Sequence, residues 1–93
     1  MQFEARWATD KNLILRARYG VGFEDVLAAI AKGRLLEEAP HPNPARYPGQ
    51  RVLVVAIRDY AWVVPYVPEG ERPFLKTLYP SRKHHRLLRE HKA

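Results

Sequence analysis

The sequence predicts an α+β fold in which helices come first and an antiparallel meander follows. Two patterns carry this expectation. Early in the chain, Phe23, Val26, Leu27 and Ile30 fall at i, i+3, i+4 and i+7, the spacing of one buried helix face. Past residue 50 the period changes, and β-rich runs follow one another with only short turns between them. Consecutive strands joined by short connections pair antiparallel. Ninety-three residues make a single domain, 1–93, with a modest core.

The elements follow in order. Residues 3–7 alternate as a short strand, expected at an edge of the sheet. Thr9 is the expected N-cap of a first helix that has Asp10 in its first turn and runs to about Tyr19. Leu13, Ile14 and Ala17 are its expected apolar stripe, with Lys11, Arg16 and Arg18 on the polar side. Gly20 and Gly22 break it, and Gly33 ends the second helix after Lys32. Residues 34–39 read as a strand, and residues 40–50, with four prolines and a glycine, as a loop. The meander strands are residues 52–57, 62–67 and 72–79. Pro65, inside the second of them, argues for a bulge or an edge. Both helices are expected on one face, with Phe23, Val26, Leu27 and Ile30 buried against Val52, Val54, Ile57 and Val63. Ile57 joins Val52 and Val54 only through a bulge, because a strand alternates faces. Pro80 and Ser81 then open a basic C-terminal helix, with Ser81 as its cap.

Charge is concentrated at one end. Residues 76–93 hold Lys76, Arg82, Lys83, Arg86, Arg89 and Lys92 against Glu90, a net +5 in a chain whose whole charge is +6. His84, His85 and His91 lie in the same stretch. The complement of such an end is a polyanion. With no cysteine, disulfides, thiolate metal sites and thiol nucleophiles are excluded. The histidines lack metalloprotease spacing, and no glycine-rich phosphate loop follows a strand, so no metal or other cofactor is expected. The charged opening lacks the apolar core of a signal peptide, and the apolar runs are too short to span a bilayer. The expectation is a cytoplasmic protein with no membrane partner.

Two segments resemble a known family. Trp7-Ala8-Thr9-Asp10-Lys11 followed by Tyr19-Gly20-Val21-Gly22-Phe23-Glu24-Asp25 resembles the opening of BrnT-type toxins. Lys76-Thr77-Leu78-Tyr79-Pro80-Ser81-Arg82-Lys83 resembles that family's closing strand and the start of its terminal helix. The resemblance implies a RelE-like fold and a small ribonuclease toxin of a bacterial type II toxin–antitoxin pair. Such a toxin cleaves RNA without metal and inhibits translation. It also implies a cognate DNA-binding antitoxin as partner, and hence a hetero-oligomer whose antitoxin segment is acidic with apolar anchors.

Metal-free RNA cleavage needs a base for the 2′-hydroxyl, cations for the charged transition state and an acid for the leaving oxygen. Lys76, Arg82 and Lys83 are the candidate phosphate and transition-state contacts, Lys76 from a strand and the other two from a helix start. His84 and His85 are the titrating candidates. Adjacent helical residues point about 100° apart, so one of the two faces a site. Lys11, Arg16 and Arg86 extend the basic surface, Tyr79 offers a hydroxyl to a phosphate oxygen, and Trp7 offers a stacking face for a base. For each of these residues the alternative is a solvated surface charge or ordinary packing. Trp62 reads as core. Leu87 and Leu88 give the last helix an apolar edge, for its own core or for a partner. The alternative function is a non-catalytic nucleic-acid- or partner-binding module, which accounts for the charge without a catalytic residue.

Overall fold

The computed structural model describes residues 4–92, and side chains through His91. Helices α1 (Thr9–Tyr19) and α2 (Phe23–Ala31) precede strands β1 (Leu35–Pro40), β2 (Arg51–Ile57), β3 (Tyr60–Val67), β4 (Phe74–Leu75) and β5 (Tyr79–Pro80). A 3₁₀ turn, Arg82–His84, leads into α3 (Arg86–Lys92). The strands form one antiparallel sheet in the order β1-β2-β3-β4, with β5 also paired to β3. The α+β class and the meander are therefore as the sequence implies. Among the described residues no helix is long and apolar enough to cross a membrane.

The strand expected over residues 72–79 is broken in two, which places Lys76 between β4 and β5 instead of within a strand. Pro65 accounts for the break. In an antiparallel strand a residue's N–H and C=O point to the same side. The Pro65 carbonyl accepts the Lys76 N–H at 2.9 Å, so the N–H that proline lacks would lie on that side too. The gap between β4 and β5 falls where β3 has no donor to give. On its other side β3 pairs with β2 in unbroken register through Val52↔Pro65. Pro65 is thus not on an edge strand, but the bulge it argues for is present on the side away from β2: the pairing slips by one residue between Tyr66↔Leu75 and Val63↔Tyr79, so that residues 76–78 face only Val64 and Pro65.

The β2–β3 hairpin is apolar on both faces. Leu53, Val55, Ile57, Trp62 and Val64 pack with Leu15, Val21, Phe23, Val26 and Ala29 under α1 and α2. Val52, Val54, Ala61 and Val63 pack with Leu87 of α3 on the opposite face. This corrects the expected partners of the helices. Ile57 does lie under them, but Val52, Val54 and Val63 belong to the other layer. Simple alternation along β2 produces the split, and no bulge in β2–β3 is needed. The tight turn of this hairpin, Arg58-Asp59, has positive φ at both residues (55° and 61°) between the closing pair Ile57 and Tyr60. Arg58 Nη2 donates to the Gly20 carbonyl at 3.1 Å, tying the turn to the left-handed C-cap of α1.

Helix α1 is rotated from its expected orientation. Its cap is Ala8, with no side-chain hydrogen bond, not Thr9. Leu13 and Ile14 are 62% and 54% exposed and Ala17 is exposed too, while Asn12 and Leu15 are buried. The reason is the polar corner between the helices. Asn12 Oδ1 accepts the Phe23 N–H at 2.7 Å, and its amide donates to Glu24 at 2.9 Å. Arg16 reaches Glu24 at 2.6 Å and Asp25 at 3.4 Å. The Asp25 carboxylate in turn accepts the Gly22 N–H at 2.9 Å, an N-terminal cap for α2. This network needs Asn12 inward, and Leu13 and Ile14 turn outward as a result. Gly22 is required by the same corner, because a Cβ there would lie 2.6 Å from both Arg16 Nη2 and Asn12 Oδ1.

Near the N-terminus, Phe3 lies outside the described residues. Arg6 makes a parallel bridge to Phe74, donating to the Pro73 carbonyl and accepting from Leu75 N–H. The segment therefore joins the β4 edge, as an isolated bridge in place of a full strand. At the opposite end of the sheet Glu38 accepts from both Arg51 and the Tyr66 hydroxyl. These bonds hold its carboxyl well below the usual range, at about 2, with Arg51 the main cause.

Two outcomes follow. Asn12→Ala should cost about 1–3 kcal/mol in denaturant unfolding, because it strands the buried Phe23 N–H. Glu38 is depressed from 4.5 to about 2, so its contribution is full above pH 4.5 and fades as pH falls toward 2. The pair is partly exposed, so thermal unfolding of wild type and Glu38→Gln should differ by only roughly one or two degrees at neutral pH. The two should converge below pH 2.

Candidate nucleic-acid interface

The second face of the sheet has two covers, and a groove lies at the uncovered end. Helix α3 lies over Val54, Ala61 and Val63 through Leu87, and Leu88 is also buried, so both leucines pack on their own core. The His91 ring meets the Gly33 carbonyl at 2.9 Å, which fastens the end of the helix to the start of β1. Farther along the same face, Pro65 forms the floor of a groove of about 420 Å³. Lys76, Thr77 and Tyr79 line one side of it, and His41 and Tyr47 of the proline loop the other, with Gln50 between. Tyr79 opposes Val63 across β5–β3, and opposed residues share a face, which places its ring on this side of the sheet.

Each wall is held by local structure. In the loop, His41 and Tyr47 stack with centroids 4.5 Å apart. The Asn43 N–H donates to His41 Nδ1 at 3.0 Å, and the Asn43 side chain accepts from Arg46 N–H at 3.3 Å. Because a backbone N–H can only donate, His41 Nδ1 is an acceptor, and the neutral ring carries its proton on Nε2. On the sheet side, the Lys76 ammonium lies 5.4 Å from the centre of the Phe74 ring. Partial burial, with Tyr47 adding to it, pushes the Tyr79 phenol above its ordinary value, so it stays protonated and a donor at neutral pH. The groove is thus rich in aromatic faces and in donors, and no carboxylate lines it.

The cationic turn lies next in the chain after Tyr79. Ser81 precedes it as the expected cap residue, but its hydroxyl meets His84 Nδ1 at 2.6 Å and makes no backbone cap bond. The helix expected from Arg82 is first a 3₁₀ turn, and α3 begins only at Arg86. Arg82, Lys83 and Arg89 are exposed and make no side-chain hydrogen bond or ion pair among the described residues. Arg86 reaches Glu90 at 3.4 Å, an exposed pair of little strength. Arg82 and Lys83 do not line the groove that holds Lys76. His85 is exposed and stacks on Tyr60 with centroids 5.2 Å apart, while His84 is half-buried against Ser81.

The remaining candidates lie elsewhere. Arg16 is committed to Glu24 and Asp25, which raise its pKa, the Glu24 hydrogen bond foremost. Trp7 packs on Phe23 with centroids 5.5 Å apart, as part of the helix-side core. Lys11 is half-buried on α1. These three belong to the helix layer, across the sheet from the groove. Trp62 is core, as its apolar run implies, and donates to the Ile57 carbonyl at 3.1 Å.

Three comparisons, with protein-family models, with curated proteins and with solved structures, return no match for this chain. The site therefore rests on its own geometry.

His41, Tyr47 and Gln50 are the groove residues that sequence reasoning passed over. Residues 40–50 read as a loop and nothing more. A signal was present: a histidine, a tyrosine and an arginine interleave with the prolines, whereas a plain connector is small and polar.

Proposed function

We propose that this chain binds single-stranded RNA across the second face of the sheet and cleaves it without a metal, as a growth-inhibiting toxin of the BrnT type. In this reading the fold is RelE-like and the partner is a cognate antitoxin whose acidic segment covers the cationic turn and the groove. The observation that carries the reading is the groove itself. It joins Lys76 and Tyr79 to the His41–Tyr47 stack beside a turn bearing the uncommitted cations Arg82 and Lys83. Single-stranded RNA offers unstacked bases to aromatic faces and a phosphate chain to cations.

The chemistry available is positioning and electrostatic stabilisation. Lys76 would hold the scissile phosphate as negative charge builds on its oxygens. The Tyr79 hydroxyl and the His41 Nε2–H would donate to those oxygens or to the leaving 5′-oxygen. The His41–Tyr47 stack would hold a splayed base and so align the 2′-hydroxyl for attack on phosphorus, its proton passing to water as the bond to the 5′-oxygen breaks. One feature favours the binding-module alternative: with Nδ1 of His41 occupied and no carboxylate in the lining, the groove holds no ready base.

The test is RNA degradation by purified protein in excess chelator. Wild type should cut single-stranded RNA and slow growth on controlled expression, and co-expression with a neighbouring acidic antitoxin should relieve the arrest. Lys76→Ala and Tyr79→Phe should each lower the cleavage rate at least about tenfold. Circular dichroism should stay unchanged, since both side chains are exposed. Tight, salt-sensitive RNA binding without cleavage in any of these proteins would leave the binding module as the function.

A further inference from the structure

The outward face of α1 is the least expected surface of the molecule. Leu13 and Ile14 are, at 62% and 54%, the most exposed large hydrophobic residues described, and Ala17 extends the patch. Among the described residues nothing covers them. They are exposed because the Asn12–Arg16–Glu24 corner turns the helix, so their outward direction is fixed by polar bonds, the Phe23 N–H to Asn12 bond among them buried, and not by a loose fit.

The charges around this patch have an order. Asp10, Ile14 and Arg18 fall at i, i+4 and i+8, a single row along the helix. The acid is at one end, the isoleucine in the middle and the base at the other end. Neither Asp10 nor Arg18 forms an ion pair among the described residues, although Arg16 nearby is fully engaged. Such a row is complementary to itself when reversed. Two copies of α1 laid antiparallel about a two-fold axis at Ile14 bring Asp10 of each against Arg18 of the other. Leu13 and Ala17 then close over the centre. An isologous contact of this kind is the commonest route to a soluble dimer.

We infer that the outward face of α1 is a self-association surface, on which a second copy of this chain docks antiparallel with Asp10–Arg18 pairs flanking an Ile14 centre. The occupant follows from charge complementarity: a partner of one sign would satisfy only one end of the row, whereas a second copy satisfies both. The patch is small against ordinary stable interfaces, so the dimer is weak, in the micromolar range or above. It lies on the helix layer, across the sheet from the groove, so dimerisation leaves the groove open and does not depend on the function proposed for it.

Sedimentation equilibrium over a wide range of concentration tests this. The mass should rise from 10.8 kDa toward twice that value as concentration increases. Ile14→Ser should abolish the rise, with circular dichroism confirming the fold. Asp10→Lys and Arg18→Glu should each abolish it as well, because every dimer would then set like charges together. An equimolar mixture of those two variants should restore association, since each supplies the sign the other lacks at both ends. A wild-type chain that stays monomeric throughout the range overturns the proposal. So does a dimer indifferent to these substitutions, or a mixture that fails to re-associate.

Discussion

The whole architecture depends on one constraint: the β2–β3 hairpin is apolar on both faces and must be covered twice. Val54, Val55, Ala61 and Val64 are fully buried, two toward each layer. A hairpin with one polar face would be satisfied by α1 and α2 alone. Here the second face needs its own cover, and the chain supplies it with a seven-residue helix and a proline loop. Leu87 and Leu88 give the helix its hold, at roughly 1.5–3 kcal/mol for each fully buried side chain. So short a helix has little stability by itself, and packing on the sheet is what forms it. The same packing places the most basic part of the chain beside a sheet face that two short covers leave partly open.

Pro65 sets the position of the opening. By withholding an N–H it splits the third meander strand, and the resulting gap carries Lys76 and Thr77 to the rim of the groove. A continuous strand would pair there and leave a flat edge. The loop that faces it is stiff for the same reason that it seemed uninformative, since its prolines restrict the backbone while Asn43 bonds fix His41 and Arg46. An aromatic wall on a preordered loop loses little conformational freedom when a ligand binds.

The fold was largely legible in the sequence because its signals are local. The i, i+3, i+4, i+7 row of α2 and the β-branched runs each state their own structure, and Gly20 and Gly33 adopt the positive φ that helix ends favour. What was not legible involved competition between distant parts. The Leu13–Ile14–Ala17 stripe looks like a core face until Asn12 is known to be bonded to residues 23 and 24. The layer assignment of Val52 and Val54 depended on which parity of β2 meets the helices, a matter that alternation alone leaves open. At the site, the basic terminus was conspicuous in composition, but His41 and Tyr47 come from the loop at residues 40–50, before the whole β2–β3 hairpin. Arg16 shows the converse, a helix cation suited to RNA by composition and committed to two carboxylates in the fold.

The proposed function makes the second face of the sheet the working surface, where the groove lies and the cationic turn follows Tyr79 in the chain. Its most direct test is to record backbone amide spectra while adding a short single-stranded RNA at low salt. Binding there shifts Lys76, Thr77 and Tyr79, Arg82 and Lys83, and His41, Tyr47 and Gln50 of the loop. The amides of α1 and α2 should stay still. Shifts concentrated on α1 and α2, or no shift anywhere at saturating RNA, would contradict it.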